Sequence, residues 1–168
     1  MNIVRLAGVI LLVLGLVGCS SSEPQRQAYD GPEVTHVYIK KSERRLYLIS
    51  DDKVLNSYKV DLGFAPVGQK RFEGDGRTPE GTYLIDRRNP RSSFYLSLGI
   101  SYPNVQDIAK ALAAGRSPGG DIFIHGRPNG KPDMNDPDWT AGCISLSNQE
   151  MYEIYKMVQN GTPVTIRP

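Results

Sequence analysis

The sequence predicts a mostly β domain with two short α-helices, preceded by an N-terminal segment that is not part of the fold. Alternating apolar and polar residues dominate the first third of the chain after this segment. Two later stretches carry helical periodicity with capping residues, and Gly, Pro, Asn and Asp fill the stretches between the elements. At 168 residues the chain is long enough for one domain with its own hydrophobic core.

The first residues have the features of an export signal. Arg5 supplies a positive charge, and the apolar run from Leu6 to Val17 is too short for a comfortable membrane-spanning helix. The run ends in Leu16-Val17-Gly18-Cys19, which is similar to a bacterial lipobox, where cleavage precedes the cysteine and the thiol is lipidated. We therefore expect residues 1–18 to be a signal peptide and Cys19 to carry lipid. An ordinary signal peptide or an uncleaved anchor is the alternative.

A flexible tether is predicted over residues 19–33, because this stretch is rich in Ser, Glu, Pro, Gln and Gly and nearly lacks large apolar residues. The folded domain is expected over residues 34–168. With 20 basic and 18 acidic side chains, the charge balance gives no reason to expect nucleic acid as a partner. We expect an exported lipoprotein, anchored to a membrane and facing the periplasm or the cell wall.

The predicted strands begin with a β-meander. Val34–Lys41 and Arg45–Ser50 alternate in polarity, and Val54–Leu62 follows the turn signal Asp51-Asp52. Further strands are predicted at residues 83–86, 94–100, 121–124 and 164–166.

The first predicted helix has Asn104 as its N-cap and Gly115 at its C-terminal end. Its apolar face, which we expect to pack on the core, consists of Val105, Ile108, Ala109 and Leu112.

The second predicted helix begins with a capping box formed by Ser147 and Glu150, and it ends at Asn160-Gly161. Its predicted core face consists of Met151, Ile154, Tyr155 and Val158.

His125 and Cys143 are candidates for a catalytic pair. His125 follows the apolar stretch Asp121–Ile124, and the stretch from there to Cys143 has loop composition. A neighbouring imidazole can take the proton of a thiol and hold the thiolate as an ion pair. If Cys19 carries lipid, Cys143 is the sole free thiol of a protein in an oxidising compartment, which favours a reactive role. A buried, inert cysteine that only packs is the alternative.

Two segments resemble the L,D-transpeptidase (YkuD) family. The first is Ile124-His125-Gly126, a loop and Thr140-Ala141-Gly142-Cys143-Ile144, which is similar to the family pattern of His-Gly, a spacer and Ser/Thr-x-Gly-Cys-Ile/Val. The second is Thr78-Pro79-Glu80-Gly81-Thr82-Tyr83, which is similar to Thr-Pro-Glu-Gly-x-Tyr/Phe. Ser145 departs from the Arg that usually follows. The resemblance extends over about residues 34–166 and implies a β-sandwich-like catalytic domain with the cysteine motif at one end of a groove.

The resemblance implies acyl transfer with Cys143 as the nucleophile and His125 as the general acid and base. We expect backbone N–H groups of the Gly142-Cys143 segment to stabilise the oxyanion. A third group should orient the imidazole. Thr140 is the first choice, with Asp138 or a backbone carbonyl as alternatives. Trp139 is expected to be a core aromatic residue.

The implied substrate is a peptidoglycan stem peptide, cleaved between the L-centre of a diamino acid and the following D-residue. Such a peptide is rich in carboxylates, and Arg71, Arg77, Arg127 and Lys70 lie in predicted loops where they could bind it, or could simply be solvated surface charges. Gly126, Arg77 and Arg127 are our candidates for the substrate site. No cofactor is expected. A metal is not expected either, because Pro137 breaks the calcium-loop spacing of the nearby Asp and Asn residues and no Glu follows at the required distance.

The acyl acceptor stays open at this point. An amine acceptor would make the protein an L,D-transpeptidase, and water would make it a hydrolase. The stretch Asp138–Ile144 followed by Ser145 resembles the family branch that includes an enzyme releasing a lipoprotein from peptidoglycan by hydrolysis, so a murein-linked lipoprotein is a second candidate partner. A non-catalytic murein-binding lipoprotein is the alternative from another class.

Overall fold

The structure, a computed structural model, describes residues 29–131 and 135–168. The predicted signal peptide, the lipobox, Cys19 and most of the tether lie outside the described residues. The described elements are, in chain order, β1 (His36–Lys40), β2 (Arg45–Ser50), β3 (Lys53–Lys59), β4 (Gly81–Ser92), β5 (Tyr95–Ile100), α1 (Val105–Ala113), β6 (Phe123–His125), β7 (Ile144–Ser145), α2 (Asn148–Met157) and β8 (Pro163–Arg167). Within the described ranges, no helix has the length and apolar character needed to cross a membrane.

The strands form one sheet in the order β3-β2-β1-β8-β4-β5-β6-β7. β1, β2 and β3 are antiparallel neighbours, so the predicted meander is confirmed. β4 is much longer than predicted, because its first part pairs with β8 and the part after Leu84 pairs with β5. The mostly β domain with two short helices is thus confirmed.

Two isolated bridges connect the ends of this sheet. Asp61, just after β3, exchanges backbone hydrogen bonds of 2.8 and 3.0 Å with Ser145 of β7. Gly63 forms a parallel bridge with Thr140. The segment after β3 therefore lies beside β7 and beside the loop that carries Cys143.

The two halves of the sheet and α2 share one hydrophobic core. Each strand contributes two or more apolar side chains to it, except β3, β6 and β7, which contribute one each. Helix α2 contributes Met151, Ile154, Tyr155 and Met157, with Val158 directly after the helix. The predicted core face of this helix is confirmed. Its capping box is confirmed as well, because Ser147 and Glu150 hydrogen-bond each other's backbone N–H group at 3.0 and 3.3 Å.

The predicted core face of α1 is wrong, although the helix itself is confirmed. Its N-cap is Asn104, and Gly115 has φ +66° just past its end, as the sequence indicates. However, Val105 is 78% exposed and Leu112 is 64% exposed, whereas the opposite side of the helix is buried.

A buried carboxylate explains this orientation of α1. Asp107 is 6% exposed, and its oxygens accept hydrogen bonds from the Asn104 N–H at 3.1 Å, the Tyr83 hydroxyl at 3.0 Å and the Gln69 side-chain amide at 3.1 Å. A carboxylate can be buried only where donors replace its water. These three donors turn the Asp107 side of the helix toward the domain, and Ala111 packs on the same side.

We expect Asp107→Ala to lower the free energy of unfolding by about 3 kcal/mol, because it removes a helix cap and leaves buried donors without an acceptor. Leu112→Gln on the exposed side of the same helix is the matched control and should change it by less than about 0.5 kcal/mol. Urea unfolding followed by circular dichroism measures both values. Equal destabilisation by the two substitutions would contradict this account of the helix orientation.

Candidate active site

The predicted nucleophile and base lie on one face of a pair of parallel strands. In the β6–β7 pair, Ile124 is opposite Ile144, and His125 is opposite Ser145. Side chains alternate along a strand, and the two isoleucines are fully buried in the core. Cys143, one position before Ile144, therefore points to the same face as His125. The fold thus brings together two residues that the sequence places at opposite ends of a long loop.

The thiol of Cys143 lies between two cavities. The larger has a volume of about 550 Å³, and its walls include Phe94, His125, Trp139 and Cys143. The smaller has a volume of about 280 Å³ and is lined by residues including Lys70 and Cys143. A group bound in either cavity can therefore approach the sulfur.

The imidazole of His125 is oriented by a backbone carbonyl. His125 is 4% exposed, and its Nδ1 lies 2.7 Å from the carbonyl oxygen of Gly126. A carbonyl can only accept, so Nδ1 carries the hydrogen and the neutral ring has its lone pair on Nε2. The hydroxyl of Ser145 donates to the same carbonyl at 3.3 Å. Ser145, whose role the sequence left open, thus helps to fix the acceptor that orients the ring.

Thr140 does not orient the imidazole, so our first choice from the sequence is corrected in favour of the carbonyl alternative. The Thr140 hydroxyl donates to the Cys143 carbonyl at 2.7 Å and accepts from the Gly142 N–H at 3.2 Å. Thr140 instead shapes the turn before Cys143. The Gly142 N–H, a predicted oxyanion donor, is therefore already engaged, and the Cys143 N–H is the other amide of that segment.

Gly142 is required by the backbone at this turn. Its φ is +128°, and a Cβ atom on it would lie 2.6 Å from the carbonyl oxygen of Arg77. Both facts exclude a larger side chain without movement of the backbone. The close approach of two loops, one of them in the Thr-Pro-Glu-Gly region, is what holds Cys143 in place.

Burial raises the pKa of the Cys143 thiol above its ordinary value of 9.0. The backbone N–H of Phe123 and the charge of Lys70 lower the pKa, and the carboxylate of Asp121 raises it, but burial has the largest effect. The thiol itself donates to the carbonyl oxygen of Asp121 at 3.5 Å. The resting sulfur is therefore protonated near neutral pH.

Burial likewise lowers the pKa of His125 below its ordinary value of 6.5. The hydrogen bond to Gly126 raises this pKa, and the positive charge of Arg127 lowers it. A lowered imidazole pKa and a raised thiol pKa favour a neutral pair in the free protein, in contrast to the ion pair expected from the sequence.

Two aromatic rings enclose His125. The ring of Phe94 lies 4.6 Å from the imidazole between centroids, and the ring of Trp139 meets it edge-on at 5.6 Å. Trp139 was expected in the core, and this is wrong, because it is half-buried and lines the larger cavity. The two rings restrict the movement of the imidazole and keep water away from it.

Asp61 is a site residue that the sequence analysis missed. It is 7% exposed, pairs with the guanidinium of Arg127 and accepts from the indole N–H of Trp139 at 3.2 Å. The Asp61 carboxylate thus fixes both the Arg127 guanidinium, which lowers the pKa of His125, and the Trp139 ring, which packs on His125. The sequence did offer a signal for a buried carboxylate, because Asp61 stands between two apolar residues, Val60 and Leu62, that belong to the core.

Of the basic residues proposed for substrate binding, Lys70 lines a cavity beside Cys143, whereas Arg77 and Arg127 do not. Arg127 is paired with Asp61, and the guanidinium of Arg77 extends toward Gly68, so neither lines a cavity beside Cys143. Lys70 does line the smaller cavity, where its ammonium group is 2.9 Å from a carboxylate oxygen of Asp75.

Gly126, the third candidate for the substrate site, connects the end of β6 to the β4–β5 hairpin through its backbone N–H. It is buried, and its N–H donates to the carbonyl oxygens of Phe94 and Leu96 at 3.0 and 3.2 Å. A Cβ atom here would lie 2.6 Å from the side-chain oxygen of Asn148. In the part of the chain that the structure describes, no group of three or more His, Cys, Asp or Glu side chains could hold a metal ion.

Comparison with known proteins identifies relatives for most of the chain. The model of the family described as YkuD, L,D-transpeptidase catalytic domain, matches residues 34–166. The putative L,D-transpeptidase YafK of Escherichia coli K12 is 30% identical over 156 residues, which cover 86% of this chain and 56% of the relative. The chain therefore spans about half the length of the curated relatives it matches.

Solved structures show the same fold. The helical cell shape determining protein Pgp2 from Campylobacter jejuni is 28% identical, with a TM-score of 0.63 over 83% of this chain and 49% of that chain. An L,D-transpeptidase from Mycobacterium smegmatis is 15% identical, with a TM-score of 0.53 over 80% of this chain and 59% of that chain, and it supports the fold alone.

We expect Arg127→Gln to raise the pKa of His125, because it removes a positive charge that lowers this pKa. NMR titration of the imidazole measures the effect. In the unchanged protein the ring should stay neutral below pH 6.5 and become protonated only as the pH falls further. Arg167→Gln, an exposed cation on β8, is the control and should leave the titration of His125 unchanged. An unchanged or lowered His125 pKa in Arg127→Gln would contradict this electrostatic account.

Proposed function

The chain belongs to the L,D-transpeptidase (YkuD) family, and on that premise we propose that it transfers acyl groups of peptidoglycan stem peptides through a thioester on Cys143. The observation that carries the proposal is the β6–β7 pair, which presents Cys143 and His125 on one face at the boundary of two cavities. Pgp2, a relative in structure, is a cell shape determining protein, and we assign this chain a role in cell-wall remodelling on that basis.

The chemistry follows from the neutral resting pair. The sulfur of Cys143 attacks the amide carbonyl carbon while Nε2 of His125 takes the thiol proton. Backbone N–H groups of the Gly142-Cys143 segment stabilise the oxyanion, and each such donor is worth about 3 kcal/mol of barrier. For Gly142 this requires its N–H to leave the Thr140 hydroxyl. The carbon–nitrogen bond then breaks, the imidazolium gives its proton to the leaving amine, and a thioester remains.

The second half of the reaction releases the acyl group. An acceptor amine attacks the thioester carbon, His125 accepts the amine proton and then returns it to the sulfur as the carbon–sulfur bond breaks. The two cavities that meet at Cys143 support this scheme, because one can hold the donor peptide and the other the acceptor. Lys70 also lines the smaller cavity, but its ammonium group is buried and already paired with the carboxylate of Asp75.

A hydrolase acting on the same L,D-amide bond or on a lipoprotein–peptidoglycan bond is the second candidate. It is favoured by Ser145, where the family usually has Arg. The Ser145 side chain is fully buried and bound to the Gly126 carbonyl, so this position provides no cation for an acceptor carboxylate. Water would then be the acceptor, activated by the same Nε2 of His125.

We also propose that the protein is exported and held at a membrane by lipid on Cys19, with the catalytic domain facing the periplasm or the cell wall. Mass spectrometry of the protein purified from membranes should show a chain that begins at Cys19 and carries acyl groups. Cys19→Ser should appear in the soluble fraction or uncleaved. A mature chain without added lipid mass would refute the anchor.

We expect Cys143→Ala and His125→Ala each to lower turnover at least about a thousandfold, because one removes the nucleophile and the other the proton acceptor. Mass spectrometry of the products formed from a muropeptide tetrapeptide and from a lipoprotein-linked muropeptide measures this. Cross-linked dimers or exchange of the terminal D-residue would identify a transpeptidase, and released lipoprotein without cross-links would identify a hydrolase.

The only other histidine provides a matched control for this experiment. His36 lies in β1 and bonds to the hydroxyl of Thr165, so His36→Gln should keep full activity. All three variants should keep the thermal unfolding midpoint of the unchanged protein. Full activity in Cys143→Ala, or no Cys143-dependent product from either substrate, would refute catalysis and leave the non-catalytic murein-binding lipoprotein as the reading.

A further inference from the structure

A second large cavity lies next to the Cys143 cavity, and residues of the hairpin between β4 and β5 line both. Its volume is about 470 Å³, and Ser92 lines both cavities. We call it the tyrosine cleft, because Tyr95 and Tyr152 line it together with Pro90, Arg91, Leu96 and Asn129. The mechanism above assigns it no role.

The hairpin at the edge of the tyrosine cleft contains a strained residue. Ser92 pairs with Tyr95 across the loop Ser93-Phe94, and Tyr95 has φ +68°. This left-handed conformation is common for Gly and tolerated by Asn, but it is an outlier for a bulky aromatic residue. A sequence under no functional constraint would be expected to place Gly or Asn there.

Asn129 holds Tyr95 in this conformation. Its side-chain oxygen accepts from the Tyr95 N–H at 3.1 Å, and its side-chain amide donates to the Ser92 carbonyl at 3.1 Å. Its backbone N–H donates to the Ser93 carbonyl at 2.9 Å. Three hydrogen bonds from one residue thus fix the loop. Strain that the surroundings maintain in this way occurs most often at functional sites.

The strained conformation directs two neighbouring aromatic rings into different cavities. Phe94 lines the Cys143 cavity and packs on His125, whereas Tyr95 lines the tyrosine cleft and is 37% exposed. Tyr152 of α2 gives the cleft a second phenol ring, which is half-buried and has the ammonium group of Lys156 4.7 Å from its centroid. Among the described residues that line the cleft, Arg91 is the one that carries a charge.

These walls fit an amino sugar. A pyranose ring has an apolar C–H face that packs on phenol rings, and hydroxyl and acetamido oxygens at its rim that accept from a guanidinium. A cationic ligand would be repelled by Arg91. A purely apolar ligand would leave this cation and the phenol hydroxyls without partners.

We propose that the tyrosine cleft binds an N-acetylated amino sugar of the glycan strand that carries the stem peptide. This inference rests on the proposed function, in which the stem peptide occupies the neighbouring Cys143 cavity. A stem peptide attached to a glycan strand requires room for the sugar close to the peptide site. The tyrosine cleft shares a wall residue, Ser92, with the Cys143 cavity and so lies beside it. The cleft would thus distinguish a stem peptide on its glycan from a free peptide.

The first test measures binding without catalysis. An oligomer of N-acetylglucosamine, which contains no peptide and no carboxylate, is titrated into the Cys143→Ala protein, and NMR follows the amide signals of Asn129 and Tyr152. We expect these signals to shift, and we expect Tyr152→Ala to weaken binding about tenfold. Tyr47→Ala, on β2, is the matched control and should bind as the unchanged protein does. Absence of binding, or equal affinity in Tyr152→Ala, would overturn the proposal.

Tyr95→Asn separates a binding role from a structural one. Asn tolerates the left-handed conformation, so this substitution relieves strain and should raise the thermal unfolding midpoint. It also removes a phenol ring, so affinity for the oligosaccharide should fall about tenfold. A higher unfolding midpoint with unchanged sugar affinity would mean that Tyr95 only shapes the hairpin, and would overturn its role in the cleft.

Kinetics connect the cleft to the substrate. For a disaccharide tetrapeptide, Tyr152→Ala should lower kcat/KM about tenfold, and for the same tetrapeptide without sugar it should leave kcat/KM unchanged. An equal loss for both substrates would show that the cleft binds peptide, against the proposal. If neither substrate is turned over, the proposed function fails, whereas the binding experiment still decides whether the cleft takes sugar.

Discussion

The parallel pairing of β6 with β7 is the contact on which the arrangement of His125 and Cys143 depends. The two strands have three and two residues, so their own hydrogen bonds are too few to fix the register. A shift by one residue would turn Cys143 toward the core and Ile144 toward the cavity. Neighbouring segments prevent this shift. Gly126 is tied to the β4–β5 hairpin on one side, and Ser145 is bridged to Asp61 on the other.

The positive charge of Arg127 beside His125 is paired with the carboxylate of Asp61, and the imidazole itself bonds to a backbone carbonyl. Asp61 pairs with Arg127 and holds the indole of Trp139, while a backbone carbonyl takes the imidazole N–H. A carboxylate in direct contact would raise the pKa of the ring and favour imidazolium, whereas a carbonyl fixes the tautomer without adding a full charge. The result is an imidazole that is neutral at rest and that lines the same cavity as a thiol that is also neutral.

The sequence predicted the elements, and it selected His125 and Cys143 as a candidate pair, because these depend on local signals. Strand alternation, two helix caps and the motifs around His125 and Cys143 are each contained within a few neighbouring residues. What the sequence did not predict depends on contacts between distant segments. The outward face of α1 follows from donors to Asp107 that come from β4 and a preceding loop, and the position of Trp139 follows from its bond to Asp61. Apolar periodicity alone cannot show which side of a helix a buried carboxylate will turn inward.

The two bridges between the segment after β3 and the β7 region determine at which stage of folding the site forms. They join Asp61 with Ser145 and Gly63 with Thr140, pairs that are separated by most of the domain's sequence. Contacts between such distant segments form late, because the loop entropy must be lost first. A chain that is still being synthesised has its cysteine and histidine, but no register that aligns them. The alignment of Cys143 with His125 therefore exists only once folding is complete.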